Sequence, residues 1–255
     1  MNISCSTQLI LSDLPEVGPM LLWLPEAMVS ESGTCSVYPL GRSWQEEGDA
    51  WVQHVTTEGL FGPGNMIRID DNTLECAGIR IQVGSPVTWT THVTCGQEEL
   101  DFRIRLTNVG EQTIRKVGGA ICLKFLEADW WCDEQVFVRS EGKVQTLAQL
   151  GRDAGPDNGF QSYLVRGQTF DNPFNREFWG VNDHRLDLPS MVSVHRSSGV
   201  SLEVAADNAY LLRSNPGNPC TDLMLGFGDI EPGATAEADG RVRIHRKDPE
   251  EILAI

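Results

Sequence analysis

Apolar and polar residues alternate strictly along much of the chain. This period-two pattern occurs at 79–83, 102–106, 192–194, 200–204 and 242–244. Successive side chains of a β-strand point to opposite faces of a sheet, so each segment has one apolar and one polar face. The pattern predicts strands from one end of the chain to the other.

Turn-forming residues separate these segments. Clusters rich in Asp, Asn, Ser and Gly occur at four places: 70–72, 108–110, 140–142 and 197–199. They indicate antiparallel hairpins between neighbouring strands. Helical patterns are short, and we expect one helix between Val144 and Leu150 and another between Pro249 and Leu253.

The organisation of the chain favours one domain, 1–255, because no linker and no repeat divides it. We predict an all-β fold, an antiparallel β-sandwich or supersandwich of two packed sheets. The segment from Gly151 to Pro189 breaks the alternation and is rich in aromatic residues and turn dipeptides. We expect one long irregular loop at about 151–189, and loops of this length are often functional.

Composition narrows the choice of partners. The 255 residues carry a formal charge of −16, and no basic cluster reverses it, which disfavours nucleic acid and anionic membrane surfaces. No apolar run approaches the length of a spanning helix, and the first residues lack the features of a signal peptide. The 7 cysteines include no C-x-x-C pair, so we expect reduced thiols, a cytoplasmic protein, and Cys122 as a small core residue.

Two patches of sequence carry a family resemblance. Residues 101–111 read DFRIRLTNVGE and precede the apolar strand 120–125, and residues 228–233 read GDIEPG before the final alternating segment. They resemble galactose-mutarotase-like supersandwich proteins, in which a strand ends in Thr-Asn-x-Gly and Leu-x-Pro-Gly-Glu leads into the last strand. The resemblance implies a sugar-handling fold, whose aldose epimerases use a His acid and a Glu base. Here 121–125 contains no histidine and 220–222 no glutamate, so the epimerase catalytic motifs are missing.

The sequence Asn182-Asp183-His184-Arg185 follows the aromatic part of the expected loop. An imidazole can accept or donate a proton near neutral pH, and a guanidinium can stabilise an enolate oxygen. We therefore predict His184, Asp183 and Arg185 as catalytic residues. The alternative is structural: Asp183 caps a turn and Arg185 pairs with Asp187 at the surface.

The other four histidines are weaker candidates for a catalytic or metal-binding role. His195 and His245 stand beside arginines on polar strand faces, so we expect both in solvent. His54 and His92 are weak metal candidates, because a metal site would need the fold to bring them together with a third ligand. We predict no cofactor, although a divalent metal is possible.

Residues 127–134 place tandem tryptophans among four carboxylates. Indole rings stack on pyranose rings, and carboxylates accept hydroxyl hydrogen bonds or act as the acid and base of glycoside hydrolysis. We predict Trp131, Asp129 and Asp133 as substrate-binding residues, together with Trp179 from the loop. The alternative is that one tryptophan fills the core while the acids solvate a loop.

A third group comprises Asp207-Asn208, Arg213, Asn215 and residues 218–222, and it offers amide and guanidinium donors to hydroxyl or carboxylate ligands. Asn208, Arg213 and Asn215 are also substrate-binding candidates. The nearby Asn-Pro and Pro-Gly steps form ordinary turns, which is the interpretation that the local sequence favours.

These patterns together predict a carbohydrate-active enzyme that acts on a sugar or keto-sugar by proton transfer, as an epimerase, isomerase or lyase does. A glycoside hydrolase with a carboxylate pair drawn from Asp129, Asp133 and Glu134 is one alternative. A non-catalytic carbohydrate-binding or assembly module is another. We expect a sugar or oligosaccharide as partner, and exposed edge strands make a homo-oligomer possible.

Overall fold

The computed structural model describes most of the chain. The described residues are 2–5, 9–12, 16–36, 42–47, 50–55, 66–68, 73–77, 81–82, 85–126, 130, 133–151, 161–169, 181–215 and 220–254. Side chains are described for 16–32, 73, 85–126, 130, 133–151, 161–169, 181–214 and 220–254.

Strands dominate the described residues. They are β1 Asn2–Cys5, β2 Leu9–Ser12, β3 Met20–Ser30, β4 Gly33–Ser36, β5 Arg42–Glu47, β6 Ala50–Val55, β7 Met66–Arg68, β8 Thr73–Ala77, β9 Ile81–Gln82, β10 Pro86–Cys95, β11 Glu99–Asn108, β12 Ile114–Phe125, β13 Val136–Ser140, β14 Lys143–Thr146, β15 Gln161–Val165, β16 Val181–Leu186, β17 Ser190–Val194, β18 Ser201–Ala206, β19 Ala209–Asn215, β20 Cys220–Ile230 and β21 Thr235–His245. The helices are short: α1 Leu147–Leu150, α2 Pro249–Ile252 and a 3-10 helix Asp133–Gln135. The predicted all-β fold and both predicted helices are confirmed.

Hydrogen bonding arranges the strands in two layers. Layer one runs β3, β12, β20, β19, β15, β16, and layer two runs β8, β10, β11, β21, β18, β17. The short strand β13 pairs with both β16 and β17 and so connects the layers along one side. The result is a β-sandwich, in agreement with the sequence prediction.

The predicted alternation gives each layer its inner face. On β11 every second residue is buried, among them Phe102, Ile104 and Leu106, while the charged residues between them face solvent. Layer one contributes Ile121, Leu123 and other apolar side chains to the same continuous core. Burial of apolar area between the layers is the main force that holds the sandwich together.

Asn108 joins the two patches of sequence that carry the family resemblance. Its side-chain amide donates to Ile230 O at 2.9 Å and to Gln112 O at 2.8 Å, and its Oδ1 accepts from Gly110 N at 3.0 Å and from Ser85 Oγ at 3.2 Å. Its backbone also bonds to the turn before β21, through Gly233 N. The Thr-Asn-x-Gly strand end is therefore a buried hydrogen-bonded junction between β11, the following turn and β20.

The expected irregular loop at 151–189 is wrong in part, because β15 and β16 lie within it. All five residues of β15 are buried, so neither face of this strand is exposed to solvent. Its sequence therefore shows no alternation of apolar and polar residues. β15 and β16 pair in parallel, and every other pairing among the described strands is antiparallel, as the predicted sandwich requires. Residues 152–160 and 170–180 lie outside the described part of the chain.

In the part of the chain that the structure describes, no helix has the length and hydrophobicity that crossing a membrane requires.

Candidate functional site

The outer face of layer one carries an unusual row of polar residues. Cross-strand neighbours share a face, and the register places Trp23, Cys122, Asp222, Arg213 and Ser162 side by side on β3, β12, β20, β19 and β15. We call this the second face, because the core lies on the opposite side of the same strands. All of these residues except Trp23 are buried.

Arg213 and Asp222 form an ion pair at the centre of the second face. The Nε and Nη2 atoms of Arg213 both donate to Oδ2 of Asp222, the former at 2.6 Å. The two side chains are only 4% and 1% exposed. Asp222 Oδ1 is buried and has no hydrogen-bond partner among the described residues. Burying charges is costly, so a carboxylate with one oxygen unengaged is a candidate for chemistry.

Two buried thiols adjoin this ion pair. Cys122 lies opposite Asp222, and the Cys220 Sγ lies 3.4 Å from Asp222 Oδ2. The hydrogen bond with Cys220, burial and the charge of Asp222 hold the pKa of the Cys122 thiol well above its ordinary value. For Cys220 the hydrogen bond with Cys122 lowers the pKa of the thiol, but burial and Asp222 outweigh it, so that pKa is raised too. Both groups are therefore neutral thiols at pH 7.

An apolar patch continues the second face toward one end of layer one. The patch lies two positions along each strand from the polar row. It consists of Ala120, Met224 and Leu211, which pack with Leu164 and Val29. Tyr210 packs against this patch. Gly118 and Gly226 lie beneath the Tyr210 ring: a Cβ at Gly118 would lie 3.1 Å from the Tyr210 hydroxyl, and one at Gly226 would lie 3.3 Å from Cδ1.

An open cleft of about 400 Å³ lies at this end of the second face. Its wall includes the Tyr210 ring, the Asn208 amide and three exposed polar side chains, Lys116, Gln168 and Thr169. The Asn208 Nδ2 donates to Gly226 O at 2.9 Å. Its Oδ1 is buried and accepts no hydrogen bond from any residue that the structure describes. The cleft thus combines an aromatic surface with hydrogen-bonding groups of both kinds.

The members of the third predicted group lie in different parts of the structure. Asn208 lies in the turn between β18 and β19, as the turn interpretation expects, and contributes to the cleft. Arg213 lies inside β19, where the buried carboxylate of Asp222 compensates its charge. The turn prediction for the Asn-Pro and Pro-Gly steps falls on residues 216–219, which lie outside the described part of the chain. Asn215 lies opposite Cys220 in the same pair of strands, but its side chain is outside the described part.

The predicted catalytic group lies on β16, two strands from Arg213. Asp183 and His184 are exposed. The Arg185 Nη1 donates to the backbone carbonyls of Asn182 and Asp183, both at 2.9 Å. Arg185 therefore serves to hold the irregular β16 backbone, while the surface pairing with Asp187 is made by Arg166 at 2.9 Å.

Asp133 and His92 are two further predicted residues whose side chains the structure describes, and neither lies on a strand of layer one. Asp133 is half-buried in the 3-10 helix that contacts α1, while Trp131, Trp179 and Asp129 lie outside the described residues. His92 is exposed on β10, which pairs with β8, β9 and β11. His54 lies on β6, which pairs with β5, and its side chain is not described. The proposed carboxylate pair and the His54–His92 metal site therefore stay predictions.

The expectation that His195 and His245 are solvated is wrong for His195. Its ring is 4% exposed, packs against Trp130 with centroids 5.0 Å apart, and bonds through Nδ1 to Ser198 Oγ at 2.8 Å. His245 is partly buried, and its Nε2 lies 3.2 Å from an oxygen of Glu203. Both rings lie where layer two meets the end of the core, a position that local alternation does not reveal.

Sequence reasoning placed Cys220 and Asp222 in the third group without assigning either a role, and it missed Tyr210. A signal was present for Asp222: it is the single charge between Cys220 and Phe227, a stretch that is otherwise almost wholly apolar. A lone acid in such a stretch indicates a buried and compensated carboxylate. Its pairing with Arg213 required the register of β19 and β20, which the sequence does not state.

No family model matches the sequence, and no curated protein matches it at a significant level. Solved structures that are similar include a putative aldose 1-epimerase from Escherichia coli, with 12% identity, a TM-score of 0.49 and 89% of this chain aligned to 83% of that one. A galactose mutarotase related enzyme from Lactobacillus acidophilus has 9% identity and a TM-score of 0.47, and the alignment covers 94% and 88%.

An α-galactosidase of family GH36 from Geobacillus stearothermophilus, solved in complex with raffinose, is similar over a smaller part. It has 12% identity and a TM-score of 0.42, and the alignment covers 68% of this chain and 24% of that one. The similar structures thus include galactose-mutarotase-like proteins, the group that the two sequence patches resemble. At these TM-scores no activity and no residue role follows from the likeness.

Proposed function

We propose that the protein binds a sugar or a sugar-derived ligand in the cleft at the end of the second face. The observation that carries the proposal is the composition of the cleft wall, in which the Tyr210 ring stands beside the Asn208 amide and exposed polar side chains. These polar groups suit the hydroxyl groups of such a ligand. The cleft volume of about 400 Å³ lies in the range of small-molecule sites, roughly 300–1,000 Å³.

Tyr210 supplies the apolar half of the recognition. Its ring is half-buried against the apolar patch, and the two glycines beneath it fix its height above the sheet. Aromatic rings pack against the C–H faces of pyranoses, and their large area contributes at low conformational cost. The exposed Lys116, Gln168 and Thr169 supply further donors at the rim.

Ligand titration by calorimetry tests the proposal, with hexoses, keto-sugars and uronates as probes. Tyr210→Ala and Asn208→Ala are each expected to weaken binding at least tenfold, which corresponds to about 1.4 kcal/mol. His92→Ala is the matched control, because His92 lines a second open groove of about 480 Å³ on the outer face of layer two. Equal loss of affinity in the control, or no binding by any sugar, would refute the proposal.

The second candidate function is proton transfer on a sugar, of the epimerase, isomerase or lyase type, at the polar row of the second face and not in the cleft, because Asp222 does not line the cleft. The specific observation in its favour is Asp222: Arg213 fixes one carboxylate oxygen, and the other is unengaged among the described residues. A carboxylate held in this way can accept a proton from a substrate carbon or hydroxyl. The segments 121–125 and 220–222, where the resemblance implies an acid and a base, hold Cys122 and Asp222 opposite each other.

Two variants separate this candidate from the set His184, Asp183 and Arg185. Turnover would be followed by proton exchange or anomer interconversion with nuclear magnetic resonance. If Asp222 is the base, the double variant Arg213→Met with Asp222→Leu loses turnover and keeps its fold, while His184→Ala retains turnover. The opposite result assigns the chemistry to β16. Sugar binding without turnover in the unmodified protein favours a binding module.

A further inference from the structure

We infer that Cys122, Cys220 and Asp222 form a binding site for a thiophilic divalent cation such as Zn²⁺. The two thiol sulfurs and one carboxylate oxygen all lie within 4.8 Å of one another. In a tetrahedral zinc site with bonds of about 2.0–2.3 Å, neighbouring ligand atoms lie roughly 3.3–3.8 Å apart. Small side-chain adjustments therefore close the group around one ion. This site goes beyond the proposed sugar ligand, which requires no metal.

The register of β12 and β20 creates the site. Cys122 is the direct partner of Asp222, and Cys220 lies two residues from Asp222 on the same face. Three ligands thus project from two hydrogen-bonded strands at the centre of a sheet. Rigid strands hold such a group more precisely than a loop does. Three protein ligands also leave a fourth position for water or a ligand oxygen, as in catalytic zinc sites.

Charge compensation supports a dication at this place. Two thiolates and the Asp222 carboxylate carry three negative charges, which a dication and the Arg213 guanidinium balance, and the nearby Glu26 adds one more negative charge that favours a cation here. Asp222 Oδ2 accepts from Arg213 and lies 3.4 Å from Cys220 Sγ, while Oδ1 has no hydrogen-bond partner among the described residues. A metal on Oδ1 excludes its use as the base of the second candidate function. The combination of two sulfur ligands and one oxygen ligand favours Zn²⁺ or Co²⁺ over Mg²⁺ or Ca²⁺, which prefer oxygen alone.

Metal binding at this site releases thiol protons, because the thiolate is the form of cysteine that ligates a metal. The ion replaces each S–H bond with a metal–sulfur bond, and the protons leave to solvent. No oxidant or reductant takes part.

Cobalt titration of the full-length, reduced and chelator-treated protein tests the inference. We expect one Co²⁺ per chain, a thiolate-to-cobalt charge-transfer band, and loss of that band when one equivalent of Zn²⁺ is added. The band should disappear in Cys122→Ser and Cys220→Ser. Cys95→Ser is the matched control, because Cys95 is a buried free cysteine in the core, away from this group, and it should leave the band unchanged.

X-ray absorption on the zinc-loaded unmodified protein gives a readout that does not depend on variants. The inference requires two sulfur neighbours at about 2.3 Å and the remaining neighbours oxygen or nitrogen. A shell with four sulfurs or none, or a cobalt band that survives both serine substitutions, would overturn it. Sugar titrations with and without the metal test the proposed sugar site separately, so a negative result for metal binding leaves the sugar proposal intact, and the reverse also holds.

Discussion

Arg213 and Asp222 face each other across β19 and β20, on the side of layer one that does not face the core, and both are almost completely buried. Such a pair contributes little net stability, since the desolvation of both charges offsets their attraction. A single substitution nevertheless leaves one uncompensated charge in place. Little stability is therefore gained from the pair as a whole, but much is lost when one partner alone is removed.

We predict that Asp222→Asn lowers the free energy of unfolding by about 3–5 kcal/mol, because it leaves the Arg213 guanidinium buried without a counter-charge. The double variant Arg213→Met with Asp222→Leu should recover most of this loss, since both charges are removed together. Urea unfolding of the three proteins measures the effect. A double variant as unstable as the single one would mean that the pair itself stabilises the fold.

Asn108→Ala should destabilise the protein by about 2–4 kcal/mol, because four side-chain hydrogen bonds disappear and their buried partners are left unsatisfied. The neighbouring Thr107→Ala is the matched control: the Thr107 side chain is partly exposed, and its hydroxyl bonds to Thr235 Oγ1 at 2.9 Å. It should cost roughly 0.5 kcal/mol or less. Similar midpoints in urea for the two variants would contradict the assigned role of Asn108.

The sequence predicted well wherever burial is one-sided. β11 and β21 alternate because one side faces the core and the other faces water. The period-two pattern alone therefore predicts which of their residues are buried. Layer one is different, since β15 and most of β20 are buried on both sides. Polar residues of layer one, such as Arg213 and Ser162, come together only because strands that are distant in the sequence pair with each other. The cleft likewise depends on the approach of Lys116 to Asn208 and Gln168, which no local pattern encodes.

Gly240→Ala should be destabilising by about 1–3 kcal/mol, because the ring of Phe102 lies over this glycine. An added Cβ would lie 2.2 Å from Phe102 Cζ and 2.9 Å from the backbone oxygen of Ala205, neither of which can move freely in the packed core. At Gly96 the nearest atom to such a Cβ is the flexible Glu99 Cγ, at 3.0 Å. Gly96→Ala should therefore change the thermal midpoint little, and comparable losses in both variants would refute this explanation.

The acid stability of layer two should depend on Glu203. Burial alone would raise the pKa of Glu203, but hydrogen bonds and charge from Arg241, with further bonds from His245 and Ser190, outweigh it and hold the pKa below its ordinary value. A carboxyl whose pKa is lowered by folding stabilises the protein above its unfolded pKa of about 4.3, and this contribution is lost as the pH falls through the folded value.

We therefore expect Glu203→Gln to cost about 2–3 kcal/mol at pH 7, and the difference from the unmodified protein to shrink steadily as the pH falls below about 4.5. Urea unfolding across this pH range measures both quantities. Glu237→Gln is the control, because the Glu237 pair with Arg105 is at the surface and should contribute only about 0–1 kcal/mol. A constant difference between Glu203→Gln and the unmodified protein at every pH would show that Glu203 stabilises layer two by packing and not by its charge.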